Sequence, residues 1–267
     1  MNDNLSPKKS LGQNFLKSEE VLRQIVGAAD FGDQEKVLEI GPGKGALTEK
    51  LLEKAGKVIA IEKDENLVEF LAGKFEEEIK SGKLILVSGD VLEINLKELF
   101  DENDFGSYKL IANIPYYITG KILRLFLDIK QKPELMVLLV QKEVAERICA
   151  GPGKMNILAN VVQYFGETKI VTPVAKENFD PIPKVDSAVI KIVINNRESD
   201  FEYDKKLFKL IKIGFSSPRK TLLNNLSSGL QKSKEDVEII LNESEIELLS
   251  RAQNLSLKDW KNLLDKM

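Results

Sequence analysis

Glu39-Ile40-Gly41-Pro42-Gly43-Lys44-Gly45 closes one strand-like run, Lys36 to Ile40, and opens a helix-patterned one, Ala46 to Ala55. A strand that ends in a glycine turn and continues as a helix is a nucleotide-binding turn. Glycines without Cβ let the backbone approach a ligand closely, and a helix N-terminus favours electronegative groups. Several classes of nucleotide-binding domain share this turn, so the residues around it must decide between them.

Outward from the turn, β and α signals alternate from about residue 36 to 195. Lys57 to Glu62, Leu84 to Ser88, Tyr108 to Ile114 and Leu135 to Val140 are short β-branched or leucine-rich runs suited to buried parallel strands. Asn66 to Ile79 and Thr119 to Ile129 carry apolar residues at helical spacing and read as crossover helices. After Gly166 come two strand-like runs, Lys169 to Val174 and Ser187 to Ile194, joined by Phe179-Asp180-Pro181-Ile182-Pro183 and expected to pair antiparallel at one sheet edge. Beyond about residue 200 the signals are helical only, with Ser217-Pro218 expected as an N-cap and first-turn proline and Ser256 as another N-cap. This predicts an α/β domain over residues 1–198 and a small helical one over 199–267, with the boundary near residue 198.

Composition removes several function classes. The chain has 267 residues, 43% of them hydrophobic, which is enough for a main domain and a small appendage. No run of about 18 apolar residues and no secretory signal are visible, so a cytoplasmic protein without a membrane role is expected. One cysteine, Cys149, and no histidine exclude an internal disulfide and the usual zinc and histidine-base chemistries, and no metal is expected. Cys149 reads most simply as a small buried residue. The net charge of −3 argues mildly against a nucleic-acid partner, but it hides an asymmetry. Lys205, Lys206, Lys209, Lys212, Arg219 and Lys220 lie in a run without acids, which by itself suits a solvated helix face as well as an RNA contact.

Two acidic residues narrow the ligand. Glu62 ends the second strand, where a carboxylate can accept hydrogen bonds from both ribose hydroxyls of an adenosine moiety. Asp90 ends the third, where it can accept the adenine amino hydrogen. The deciding motif is Asn113-Ile114-Pro115-Tyr116-Tyr117 at the end of the fourth strand. An exocyclic adenine amine is a poor nucleophile because its lone pair is delocalised into the ring, so a methyl-acceptor site needs hydrogen-bond acceptors. The Asn113 side-chain oxygen and the Ile114 carbonyl can each take one amine hydrogen. Pro115 presets the turn, and Tyr116 offers a face on which an extruded adenine can stack.

With these motifs the chain resembles the small-subunit ribosomal RNA adenine dimethyltransferase family over nearly its whole length. Lys9-Ser10-Leu11-Gly12-Gln13-Asn14-Phe15-Leu16 resembles that family's lysine-rich signature, whose glutamine, asparagine and leucine border the S-adenosylmethionine site. The resemblance places Gln13, Asn14, Leu16, Gly41, Gly43, Glu62, Asp90, Val91 and Asn113 at donor-binding positions. It makes Asn113, Pro115 and Tyr116 catalytic, with Phe179 opposite Tyr116 to clamp a flipped adenine. Leu139 to Arg147 is similar to the family's QKEVAxR helix, Phe179 to Ala188 to its FxPxPKVDSA segment, Ser217 to Leu226 to the start of its C-terminal domain, and Arg251 to Ser256 to its closing segment. From these parts Lys142, Arg147, Lys184, Arg219 and Lys220 are the candidate RNA contacts, although Lys184 and Asp186 suit a loop-anchoring ion pair equally well.

What the resemblance implies is a class I S-adenosylmethionine-dependent methyltransferase. Its fold would be a Rossmann-like, mostly parallel seven-stranded sheet with one antiparallel edge hairpin. Its substrate would be 16S rRNA in the immature 30S subunit, with two adjacent adenosines converted to N6,N6-dimethyladenosine and S-adenosylhomocysteine released by an enzyme expected to be monomeric. There are departures: Met155-Asn156 replaces the family's tyrosine-glycine pair, the loop Gly151-Pro152-Gly153-Lys154 is short, and Ser216-Ser217-Pro218 thins the basic C-terminal motif. The rival readings are a resistance methyltransferase acting on large-subunit RNA, a non-catalytic small-subunit assembly factor and, more distantly, a nicotinamide dehydrogenase.

Overall fold

The computed structural model describes residues 6–8, 11–32, 34–195 and 200–267. Its strands are β1 (Phe15–Leu16), β2 (Lys36–Ile40), β3 (Lys57–Glu62), β4 (Leu84–Ser88), β5 (Lys109–Asn113), β6 (Leu135–Gln141), β7 (Gly166–Val174), β8 (Phe179–Asp180) and β9 (Ser187–Ile194). Through the sheet region run helices α1 (Glu19–Ala28), α2 (Ala46–Lys54), α3 (Glu65–Lys74), α4 (Glu76–Lys80), α5 (Leu96–Glu102), α6 (Thr119–Asp128) and α7 (Lys142–Ile148), followed by α8 (Ile157–Phe165). Seven strands form one sheet in the order β4-β3-β2-β5-β6-β9-β7. From β4 to β6 every pairing is parallel, and β9 runs antiparallel to β6. This is the expected Rossmann-like, mostly parallel seven-stranded sheet, with β9 and β7 adjacent at one edge.

Alternation along the strands explains why both faces are covered. Val37, Val58, Ala60 and Ile111 pack with Leu22, Ile25 and Leu51 of the helices in one core cluster. Their neighbours Leu38, Ile59 and Leu110 are equally buried and point the other way, as a helix-sandwiched parallel sheet requires. Chain order reverses at β2, which has β3 on one side and β5 on the other, so the carboxyl ends of these three strands frame a ligand crevice.

The expected single helix over Asn66 to Ile79 is corrected to two. It breaks at Phe75, which is non-helical at φ −115° and ψ 34°, and three acids, Glu76, Glu77 and Glu78, restart a helix whose N-terminus favours negative charge. The break lets the Phe75 ring lie over Gly45, where a Cβ would meet it at 2.6 Å. Gly45 therefore owes its identity both to close approach and to its φ of +78°.

A second compact unit is helical. It contains α9 (Phe201–Gly214), α10 (Leu222–Leu230), α11 (Lys234–Glu243) and α12 (Leu257–Asp265), packed on Leu207, Ile211, Leu226, Leu241, Trp260 and Leu263. Residues Glu146–Gly166, which the sequence reading places with residues 1–198, group with this unit as well. The cause is Tyr164 of α8, which is buried in this helical core and hydrogen-bonds Asp204. The expected boundary near residue 198 itself lies outside the described residues. Ser256 caps α12 as expected, in a capping box with Asp259. Ser217 does not cap α10: Thr221 does, accepting the Asn224 amide, and Ser217-Pro218 form the turn before it.

The departures at Met155-Asn156 have a local solution. Met155 is buried, while Asn156 caps α8 by accepting from Ala159 and donates its own amide to the Arg147 carbonyl. Cys149 is half-buried rather than buried.

Candidate active site

A cavity of about 600 Å³ opens at the carboxyl ends of β2, β3, β4 and β5, a size that suits a nucleoside-containing ligand. All the residues assigned to the donor line it: Gln13, Asn14, Leu16, Gly41, Gly43, Glu62, Asp90, Val91 and Asn113. So do Ile114, Pro115 and Tyr116 of the methyl-acceptor motif.

The floor is built by hydrogen bonds between strand ends and loops. Gly41 N–H donates to the Ile61 carbonyl at 2.9 Å and Gly89 N–H to the Glu62 carbonyl at 2.8 Å. One Glu62 carboxylate oxygen accepts the Gly43 amide at 3.1 Å, and the other accepts the Asp64 amide at 2.9 Å. Burial pushes the Glu62 carboxyl up from its ordinary range, and the Asp64 and Gly43 amides act against that. A carboxylate has about four acceptor sites, more than the backbone amides fill, so Glu62 can still accept from a ligand hydroxyl. Gly43, at φ +61°, lets the Phe15 ring pack against the turn: a Cβ there would lie 3.0 Å from that ring.

Asp90 is fixed as an acceptor. Its Oδ1 receives the Leu92 amide at 3.0 Å and its Oδ2 the Lys63 ammonium at 2.7 Å. Burial raises its carboxyl, but the Lys63 ammonium and the Leu92 amide outweigh this, so Asp90 lies below the usual carboxylate range. The N-terminal segment closes the neighbouring wall. Lys8 Nζ and Gln13 Nε2 donate to the two oxygens of Asp64 at 2.6 and 2.9 Å. Asp64 also caps α3, and its pKa falls because these donors outweigh burial. The β1–β8 ribbon then pairs Leu16 with Phe179 and Phe15 with Asp180, joining two motifs far apart in the sequence. Lys9 and Ser10 lie outside the described residues.

At the end of β5, the Asn113 amide nitrogen donates to the Asn14 carbonyl at 3.2 Å. Pro115 follows with φ −53° and ψ 129°, and Tyr116 begins a short 3₁₀ turn. Tyr116 is half-buried, and its hydroxyl lies 2.7 Å from Ser187 Oγ.

Phe179 is the exception among the expected site residues. It is fully buried, belongs to the core cluster with Leu16 and Val189, and does not line the cavity, where its neighbour Asp180 does. The structure does not bring its ring face to face with Tyr116 across the cavity. The candidate RNA contacts Lys142, Arg147, Lys184, Arg219 and Lys220 are all exposed. Asp186 accepts the Lys176 amide at 3.1 Å and its carbonyl accepts the Lys142 amide at 3.0 Å, so it anchors backbone rather than pairing with Lys184.

Sequence reasoning passes over several residues of the site. Glu39 lines the cavity and is 1% exposed, with a carboxylate oxygen that has no described partner. Burial pushes its carboxyl up to about 8, with the nearby Glu62 charge adding to the shift and the Thr48 hydroxyl opposing it. Asp64 is missed because its partners lie some fifty residues away. Lys17, Lys44 and Lys121 line the mouth, and no charge run in the sequence marks them.

The model of the family described as Ribosomal RNA adenine dimethylase matches residues 4–263. A Ribosomal RNA small subunit methyltransferase A of Dehalococcoides mccartyi is 44% identical over 262 residues, covering 97% of this chain and 88% of that one. Its counterpart by name in Fusobacterium nucleatum is 39% identical, with 96% of each chain covered. Among solved structures, a dimethyladenosine transferase from Plasmodium falciparum superposes with a TM-score of 0.77 at 27% identity, covering 93% of this chain and 95% of that one. The 23S rRNA methyltransferase ErmE superposes at 0.79 with 23% identity, covering 95% and 99%, and so shares the fold.

Proposed function

The chain belongs to the ribosomal RNA adenine dimethylase family, and from that premise we propose that it uses S-adenosylmethionine to dimethylate N6 of two adjacent adenosines near the 3′ end of 16S rRNA. The substrate is a hairpin loop in the immature 30S particle, and the enzyme acts as a monomer. The observation that supports this reading best is the placement of Asn113, amide end anchored, in the same cavity as the glycine turn, Glu62 and Asp90.

The cavity fits the donor. Gly41, beside which only the Asn113 carbonyl lies within 4 Å of a Cβ position, leaves room at the turn for its methionine end, Glu62 retains acceptor capacity for a ribose hydroxyl, and Asp90, held ionised by Lys63, accepts from an adenine amine. When bound, S-adenosylmethionine supplies an electrophilic methyl group on a sulfonium sulfur. The protein's own part is orientation and polarisation. With its nitrogen on the Asn14 carbonyl, Asn113 turns its oxygen toward the N6 hydrogens, and the Ile114 carbonyl serves as a second acceptor. These contacts restore electron density to N6 and hold its lone pair in line. Each transfer leaves a proton to be lost from N6, and no side-chain base is needed because the alkylated amine is acidic before it loses that proton. Tyr116 supplies the stacking face for the extruded base, an interaction worth roughly 1–3 kcal/mol. Extrusion costs a few kcal/mol and is easiest for a loop adenosine.

The experiment is incubation of immature small-subunit particles, and separately of naked large-subunit RNA, with enzyme and labelled donor, followed by mass spectrometry of the nucleosides. Label on small-subunit adenosine, mostly as the dimethylated base, is expected. Labelling of large-subunit RNA alone would transfer the assignment to a resistance-type enzyme.

A further inference from the structure

The segment that resembles FxPxPKVDSA does more at the site than bring chain to the sheet edge. Because β9 runs antiparallel to β6, its first residue, Ser187, lies opposite Gln141 at the carboxyl end of β6, and β6 in turn pairs Leu139 with Asn113. Ser187 is 0% exposed. Its Oγ is 2.7 Å from the hydroxyl of Tyr116, seventy-one positions away.

Stacking a base requires only an aromatic face, which phenylalanine would supply as well. A hydroxyl at this half-buried position is costly to desolvate unless it is satisfied, and burial does push the Tyr116 pKa up, with the Ser187 bond acting against it. The two hydroxyls satisfy each other, and the bond ties the far end of the ring to a strand of the sheet. The near end is tied by the turn at Pro115 and by the Thr119 hydroxyl, which donates to the Tyr116 carbonyl at 3.3 Å. A ring held at both ends cannot swing about its Cα–Cβ bond.

We infer that Ser187 is a positioning residue for methyl transfer: through its hydrogen bond to the Tyr116 hydroxyl it fixes the plane on which the target adenine stacks. The inference rests on the reading of Tyr116 as the stacking face. Reacting groups must be held within about 0.5 Å and 10–20° of the productive geometry, so loosening this ring lowers the rate without touching the donor.

The test is a double-mutant cycle in single-turnover methylation of immature small-subunit particles at saturating labelled donor. Ser187→Ala and Tyr116→Phe are each expected to slow transfer by roughly tenfold, the value of one lost neutral hydrogen bond. The double variant should be no slower than either single one, Ser187→Thr should regain part of the rate, and S-adenosylhomocysteine affinity by calorimetry should be unchanged throughout. Full additivity of the two substitutions, or a Ser187→Ala rate within twofold of the parent, overturns the inference. Should Ser187→Ala fail to fold, Tyr116→Phe against Tyr116→Ala decides: a Tyr116→Phe rate equal to that of the parent defeats it. Tyr116→Ala with undiminished rate instead defeats the stacking reading itself.

Discussion

The side-chain amide of Asn113 donates to the backbone carbonyl of Asn14 at 3.2 Å, across ninety-nine positions of chain. An asparagine amide has a donating and an accepting end, and fixing the first aims the second. Asn113→Ala should therefore slow single-turnover methylation by on the order of 10²-fold or more, as loss of one preorganised polar group does elsewhere. A loss of less than fivefold would remove Asn113 from the chemistry. Asn113→Asp should fare no better, because a carboxylate has no hydrogen to give Asn14.

Glu62 bears on binding rather than on the transfer step. Its two oxygens hold the amides of Gly43 and Asp64 and face the cavity. Glu62→Ala removes both tethers and the proposed ribose acceptors together. The expected result is a fall in S-adenosylhomocysteine affinity of at least tenfold by calorimetry, with the rate at saturating donor changed much less. Unchanged affinity would exclude Glu62 from the donor site.

The N-terminal wall depends on Asp64, whose carboxylate binds Lys8 and Gln13 and caps α3. Lys8 is 43% exposed in its side chain, so Lys8→Ala should cost little, less than about fivefold in donor affinity. Asp64→Ala removes both strap contacts and a helix cap worth about 1 kcal/mol. It should lower both donor affinity and the melting temperature. A variant that melts early yet binds donor normally would show that the strap does not shape the site.

How far these residues could be read from sequence depends on how local their signals are. The buried strands were legible because runs such as Lys57 to Glu62 carry both burial and β-propensity within a few residues. The break at Phe75 was not, because the ring contact that goes with it is to Gly45, thirty residues earlier. Ser217-Pro218 has the composition of a helix start, yet Thr221 wins by accepting from Asn224. Helix α1 does carry a usable signal, Ser18 followed by Glu19 and Glu20. In the site, Gln13, Glu62, Asp90 and Asn113 were legible because motif position determines where they point. The burial of Phe179 was not, since it follows from pairing with Leu16. The roles of Asp64, Ser187 and Glu39 depend on partners or surroundings that only the folded chain brings together.

Glu39 gives a pH test. Its pKa is about 8 in the folded chain against an ordinary 4.5, with burial as the main cause. A carboxyl with a raised folded pKa holds its proton in the native state while the unfolded chain has lost it. Stability without ligand should therefore fall as pH rises from about 4.5 to about 8 and level off above, with a limiting slope near 1.4 kcal/mol per pH unit. Glu39→Gln, which cannot ionise, should flatten that part of the profile and be the more stable protein at pH 8. Chemical denaturation at several pH values measures it, and parallel profiles for the two proteins would show that Glu39 does not carry the dependence.

RNA recognition leaves two surfaces to compare. In RNA complexes phosphate contacts set much of the affinity, and each one lost from a single strand or duplex lowers the magnitude of the salt slope by roughly 0.7–0.9. The exposed Arg219 and Lys220 of the helical unit are one candidate surface. The other is the cavity mouth, where Lys63 and Lys74 are paired with Asp90 and Glu49 but Lys17, Lys44 and Lys121 form no ion pair among the described residues. The proposed stacking of the target adenosine on Tyr116 predicts that its flanking strand crosses this mouth, where these three lysines are the cations available to its phosphates. Replacing Lys17, Lys44 and Lys121 with alanine should flatten the salt dependence of RNA binding by about two to three phosphate contacts. It should also slow methylation at subsaturating RNA, with the rate at saturating RNA recovering toward that of the parent. Arg219→Ala with Lys220→Ala should flatten the slope by no more than two contacts and leave S-adenosylhomocysteine affinity untouched. A triple lysine variant with the parent's salt slope would mean that the flanking strand does not cross the mouth, and that RNA is held by surfaces outside the catalytic cavity alone.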